Sequence, residues 1–127
     1  MSKLVAMKME TRQTYLLISF SGNLEYGKIE EMKKELNAHM FDVDADYVID
    51  MQHVANIDST GFGMIVNFAK KVSVRNKKIV INVADDFIRN LFAISQCDKI
   101  FPIVKDEAGA HDILKNGWQS EISLSEY

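Results

Sequence analysis

Two short, strongly apolar runs constrain this chain more than any other feature: Tyr47-Val48-Ile49-Asp50-Met51 and Lys78-Ile79-Val80-Ile81-Asn82-Val83. A run with so little polar alternation has no face to offer to water. As a strand it must be covered on both sides, which is the situation of a parallel strand flanked by helices. Around these runs the period changes to the helical one. Ile65, Phe68, Ala69 and Val72 fall on one face of a predicted helix starting just after Asp58, with Asn67, Lys70, Lys71 and Arg75 on the other. Ile29, Met32, Leu36 and Met40 recur in the same way through 27–40, and Ile88, Leu91, Phe92 and Ser95 line up behind Asp85, a capping residue.

The remaining segments fit around this frame. Leu4 to Met9 and Tyr15 to Phe20 are predicted strands of a hairpin joined by polar Glu10 to Thr14, and Ser21-Gly22-Asn23 reads as the break that ends the second. Loops are expected at Phe41 to Asp46 and at Gln52 to Ile57. Ile100 to Val104 reads as a last strand, placed at a sheet edge because Pro102 has no N–H to donate. A closing helix is expected from Ala108 to Lys115. The expected fold is therefore a single α/β domain over 1–115, a mixed four- to five-stranded sheet with about four helices and right-handed crossovers, followed by a loosely held tail over 116–127. At 127 residues the chain is long enough to close such a core without metals or disulfides.

Composition narrows the function classes. A net charge of −3 supplies no basic field for nucleic acid or anionic lipid, so neither is expected as a partner. The single cysteine, Cys97, has no disulfide partner and reads as a partly buried thiol. His39, His53 and His111 lie too far apart in sequence for a metal-ligand pattern, and no cofactor is expected. No apolar stretch approaches the ~20 residues of a membrane span, and no signal-peptide core is present, so the expected compartment is the cytoplasm.

In such folds working residues gather at the carboxyl ends of parallel strands, and Asn56-Ile57-Asp58-Ser59 is one such place. Ile57-Asp58-Ser59-Thr60-Gly61-Phe62-Gly63-Met64 sets an apolar residue before a run of capping residues, then two glycines, then the amphipathic helix. Asp58 or Ser59 can cap the first amides, while Gly61 and Gly63 allow close backbone approach to a neighbouring segment or partner. Free amides at a helix start favour negative charge, so a hydroxyl here tolerates phosphate. Taken alone, the motif is an ordinary helix cap. Gly61-Phe62-Gly63 lacks the lysine of a phosphate-binding loop and the rest of a dinucleotide fingerprint.

Ser21-Gly22-Asn23-Leu24-Glu25, Tyr47 to Met51, Ile57 to Gly63 and Leu91-Phe92-Ala93-Ile94-Ser95 occur in the order and spacing of STAS domains, and from about Leu4 to Leu114 the chain resembles bacterial anti-sigma factor antagonists. The resemblance implies Ser59 as phosphoacceptor, with Thr60 as second choice, and a partner surface drawn from Asn23, Glu25, Asn56, Asp58, Ser59, Thr60, Gly61 and Phe62. It implies partner switching. The unphosphorylated antagonist binds an anti-sigma factor with a histidine-kinase-like ATPase fold and releases a sigma factor; that partner phosphorylates the serine, and a serine phosphatase resets the cycle. Asn23 and Glu25 depart from the family's Gly-Glu-Leu-Asp, and Gln96-Cys97 from its Gly-Leu. The sequence offers no spaced nucleophile and base, nor the paired acidic residues of a phosphoaspartate receiver, so an enzyme is not expected. The competing reading is a non-switching STAS scaffold or adaptor in a larger stress-sensing or lipid-transport complex, with Ser59 serving only its helix.

Overall fold

A computed structural model describes residues 6–42 and 45–118 of the chain. Strands β1 (Ala6–Thr11), β2 (Tyr15–Leu24), β3 (Asp46–Ile57), β4 (Ile79–Asn82) and β5 (Ile103–Val104) form one sheet in the order β1-β2-β3-β4-β5. β1 runs antiparallel to β2, and every other neighbouring pair is parallel. Helices α1 (Glu30–Asp42), α2 (Ser59–Val74), α3 (Asp86–Ile94) and α4 (Glu107–Asn116) connect or follow the strands.

Side-chain alternation shows why the central strands read as continuous apolar runs. Leu16, Ile18 and Phe20 of β2, Tyr47, Ile49 and Met51 of β3, and Ile79 and Ile81 of β4 meet Met32, Leu36, Met64, Ile65, Phe68, Ile88 and Phe92 of α1, α2 and α3. On the opposite face Tyr15, Leu17, Val48 and Val80 meet Ala110, Ile113 and Leu114 of α4. Both faces are covered, three helices on one side and one on the other. Each buried Val, Leu or Ile contributes about 1.5–3 kcal/mol relative to exposure, so this two-sided packing is the main source of stability. Among the described residues, no helix is long and apolar enough to cross a membrane.

Several boundaries differ from the sequence expectations, each for a local reason. Ser21-Gly22-Asn23 does not end β2. Gly22 adopts φ +84°, and the register against β3 shifts at this point, so the apparent break is a bulge inside a strand that continues to Leu24. Gln52 to Ile57 is not a loop: β3 runs on to Ile57, pairing with β2 while β4 pairs only with Tyr47 to Asp50. Main-chain pairing with β2 carries this extension through its exposed polar residues, with Val54 buried in the core and Ile57 packed against it. α1 begins at Glu30 instead of Gly27, although Ile29 is buried as expected, and it continues through Phe41 into Asp42. Leu4 and Val5 of the first predicted strand lie outside the described residues, as do the side chain of Met40 and the tail from 119; Asn116 ends α4. Cys97 is fully buried, deeper than the sequence implied. Pro102 does precede an edge strand, and Asp85 caps α3 through Ile88 N at 2.9 Å.

At the amino end of β2, the Tyr15 hydroxyl donates to the Glu107 carboxylate and lies 2.9 Å from His111 Nε2, while Arg12 Nε donates to Glu107 at 3.2 Å. This cluster ties α4 to the hairpin. Burial, and then the Glu107 hydrogen bond, push the Tyr15 phenol up to about 12. The folded state thus favours the neutral phenol; its contribution is whole below the ordinary value of 10.0 and is lost as pH rises through the folded value. Tyr15→Phe is expected to cost about 2 kcal/mol at neutral pH, because it strips a charged acceptor of a buried donor. The gap from wild type should narrow above pH ~10. Urea titrations at neutral and alkaline pH check both statements; equal stability of variant and wild type at neutral pH would refute them.

Candidate functional site at the start of α2

β2 and β3 stay paired to their last residues, Asn23 opposite Asn56 and Leu24 opposite Ile57, so the chain leaves both strands at one place. The Asn56 amide donates to Asn23 Oδ1 at 3.3 Å across the pair. From Leu24 the backbone turns into Glu25 and Tyr26; from Ile57 it turns into Asp58. Asp58 joins these exits. Its backbone N–H donates to Leu24 O at 3.2 Å, its Oδ2 accepts from Tyr26 N at 2.9 Å and its Oδ1 accepts from Gly61 N at 2.9 Å.

This arrangement answers which residue caps α2. Asp58 is the N-cap, in extended conformation, and Ser59 is the first helical residue. The Tyr26 amide first, and the Gly61 amide next, hold the Asp58 carboxyl below its ordinary value of 3.8. A fixed negative charge therefore sits beside Ser59 at neutral pH. Ser59 itself is exposed, and among the described residues its side chain makes no hydrogen bond. Its hydroxyl is not needed for the cap.

The two glycines have different roles. A Cβ on Gly61 would lie 2.1 Å from Leu24 O and 2.8 Å from Leu24 Cβ, so the first turn of α2 packs directly on the end of β2. Among the described residues, a Cβ on Gly63 would meet nothing within 4 Å, so the expected close approach to a neighbouring segment is not met there. Phe62 is half-buried and set edge-on against Phe92 of α3, ring centroids 4.9 Å apart. Thr60 is half-buried. Glu25 is partly exposed, 4.0 Å from Lys28 Nζ.

Thus Asn23, Glu25, Asn56, Asp58, Ser59, Thr60, Gly61 and Phe62 do converge at the carboxyl ends of β2 and β3, although Asn56 and Ile57 belong to a strand and not to a loop. Tyr26 went unnoticed in the sequence. It is 78% exposed and its amide is bound by Asp58. A lone aromatic among the polar residues of Asn23-Leu24-Glu25-Tyr26-Gly27 was the available signal. Among the described residues, no group of three or more His, Cys, Asp or Glu side chains is arranged to hold a metal ion.

The family description that matches this chain is the STAS domain, over residues 6–110. The chain belongs to the STAS domain family. This STAS protein is 26% identical over 85 residues to the anti-sigma-B factor antagonist of Staphylococcus aureus (strain NCTC 8325 / PS 47), covering 67% of this chain and 79% of the relative. In structure it resembles an anti-sigma factor antagonist from Mycobacterium paratuberculosis, with TM-score 0.79 and 17% identity over 87% of this chain and 94% of the other. It also resembles the anti-sigma factor antagonist SpoIIAA in its unphosphorylated form, with TM-score 0.71 and 15% identity over 90% and 100% of the two chains. The phosphorylated form of the Bacillus cell fate determinant SpoIIAA matches at TM-score 0.67 and 14% identity over 85% and 99%. At such identities the structural likenesses establish the shared fold.

Proposed function

We propose that this STAS protein is an anti-sigma factor antagonist that works by partner switching, with Ser59 as the phosphoacceptor and Thr60 as the second choice. The observation that carries the proposal is the division of labour at the start of α2: Asp58 does the capping, which leaves the Ser59 hydroxyl exposed and unbonded. The family membership supports it, as do the names of the curated relatives and the existence of SpoIIAA in phosphorylated and unphosphorylated forms.

The unphosphorylated surface around Ser59, including Asn23, Glu25 and Asn56, binds an anti-sigma factor with a histidine-kinase-like ATPase fold, and a sigma factor is released. Within that complex Ser59 Oγ attacks the γ-phosphorus of ATP. The new O–P bond forms as the bond to the β-phosphate oxygen breaks; ADP departs, and the hydroxyl proton passes to a base of the kinase. A serine phosphatase returns the hydroxyl by hydrolysis. An ATP-dependent cycle of this kind operates in the cytoplasm.

The fold tolerates the modification because the product is exposed and stands at the electropositive amino end of a helix. The interface does not. Phosphate adds about −1.5 to −2 charge beside the ionised Asp58, and a surface that could bury a neutral hydroxyl must then desolvate two anions.

Incubation with the cognate anti-sigma kinase and ATP, followed by mass-spectrometric mapping, tests the assignment. Phosphate is expected on Ser59 and absent from Ser59→Ala. Phosphate absent from both Ser59 and Thr60 would overturn the switch, and a partner complex persisting under that condition would point to a non-switching scaffold.

A further inference from the structure

The surface at the head of α2 continues onto α3. There Phe87 and Ile94 are 69% and 72% exposed, with half-buried Leu91 between them. At 3.6 residues per turn the three form one stripe along the helix. Ile88 and Phe92, on the adjoining arc, are buried against the sheet. The apolar arc of α3 is therefore wider than the core beneath it uses.

The neighbours of α3 fix the direction in which this surplus faces. Asp86, Arg89 and Ala93 line a cleft together with Asp98 and Ile103, so that flank of α3 looks toward β5. The Phe87-Leu91-Ile94 stripe lies on the other flank, toward α2. On α2, Met64, Phe68 and Lys71 share a cleft with Leu36 and Asn37 of α1, and Lys71 Nζ donates to Asn37 Oδ1 at 2.9 Å. Helical spacing then sets Phe62 on the flank facing α3, where it bridges to Phe92, with Ser59 one turn before it at the head of the helix.

We propose that this rim and stripe, with Ser59 at the head, Phe62 on one wall and Phe87, Leu91 and Ile94 on the other, form a second half of the docking surface for the anti-sigma kinase, receiving an apolar segment of that partner. The inference rests on Ser59 being the phosphoacceptor. A kinase that delivers phosphate must bring its active site into contact with Ser59 Oγ, and a stable interface covers about 800 Å² per partner, a patch roughly 30 Å across. α3 spans only about 13 Å, and neighbouring helices lie about 8–10 Å apart. The whole stripe therefore falls inside the footprint of any partner centred on Ser59. Its aromatic and aliphatic side chains suit the interior of such a patch, where charged residues are depleted. Affinity from this half does not depend on the charge of Ser59, so it selects the partner while Ser59 governs release.

The test measures binding of the purified anti-sigma kinase to wild type, Phe87→Ala, Ile94→Ala, the double variant and Val74→Ala by calorimetry, with phosphate mapping and thermal melts alongside. Val74 is 71% exposed at the far end of α2 and serves as a control for general surface apolarity. The expected result is about a tenfold loss of affinity for each α3 variant and about a hundredfold for the double variant, with melting temperatures held and Val74→Ala unchanged. Wild-type affinity in the double variant, with wild type still bound and phosphorylated at Ser59, would overturn this inference alone, as would an equal loss in Val74→Ala. A wild type that is neither bound nor phosphorylated would overturn it together with the phosphoswitch.

Discussion

Gly61→Ala is expected to destabilise the protein by about 3 kcal/mol and to lower its melting temperature by about 10 °C. The added methyl would stand 2.1 Å from the Leu24 carbonyl oxygen, closer than any non-bonded contact allows, and the obstructing atoms are the Leu24 carbonyl and the Cβ fixed to its backbone. A flexible side chain could rotate away; the end of β2 cannot. Relief requires α2 to lift from the sheet, which stretches the Asp58 links to Leu24, Tyr26 and Gly61 and displaces Ser59 with them. The alanine preference of helices, about 1 kcal/mol, offsets only part of this cost. Gly63→Ala provides the contrast: with open space around its Cβ position it should be neutral or gain up to about 1 kcal/mol. Thermal melts of the two variants decide the matter, and a Gly61→Ala protein as stable as wild type would show that α2 does not press on β2 as described.

Ser59→Asp is expected to weaken binding to the anti-sigma kinase more than a hundredfold, about 3 kcal/mol, while Ser59→Ala binds within a few-fold of wild type. The difference lies in charge, since the Asp58 carboxyl is held ionised by two backbone amides and a second carboxylate next to it must also be stripped of water at the interface. The fold should not suffer. Beyond the N-cap Asp58, the first turn of α2 contains no acidic residue, and the favourable end of the helix dipole offsets the repulsion between the two exposed carboxylates. Calorimetric titration with matched thermal melts separates loss of binding from loss of structure. Undiminished affinity of Ser59→Asp would rule out charge at this position as the switch.

How much of this was legible in the sequence depended on what held each segment in place. Tyr47 to Met51 and Ile79 to Asn82 were readable as buried strands because α-helices cover both of their faces, and the apolar face of α2 and the cap at Asp85 were equally plain. The second half of β3 was not, since Gln52, His53 and Asn56 are exposed and their segment is held by hydrogen bonds to β2 that leave no trace in side-chain polarity. Gly22 likewise reads as a break from sequence, and only the pairing register makes it a bulge. At the site, the resemblance pointed to Ser59, but Asp58 and Ser59 were equal candidates for the cap. Neither Phe87 nor Ile94 stands out as a surface residue in the sequence, because the periodicity that locates Ile88 and Phe92 as core says nothing of what lies beyond the core.

The sequence by itself determined the alternation of strand and helix, the residues that fill the interior, and the Asp58-Ser59-Thr60 turn as a helix start, because burial and capping are written in side-chain type and spacing. Tertiary structure decided what that turn is free to do. Only when β2 and β3 end side by side do the Tyr26 and Gly61 amides both reach Asp58, which commits the aspartate to the cap and leaves Ser59 with an unengaged hydroxyl. Contacts between residues 32 positions apart set that outcome, and local pattern carries no record of them.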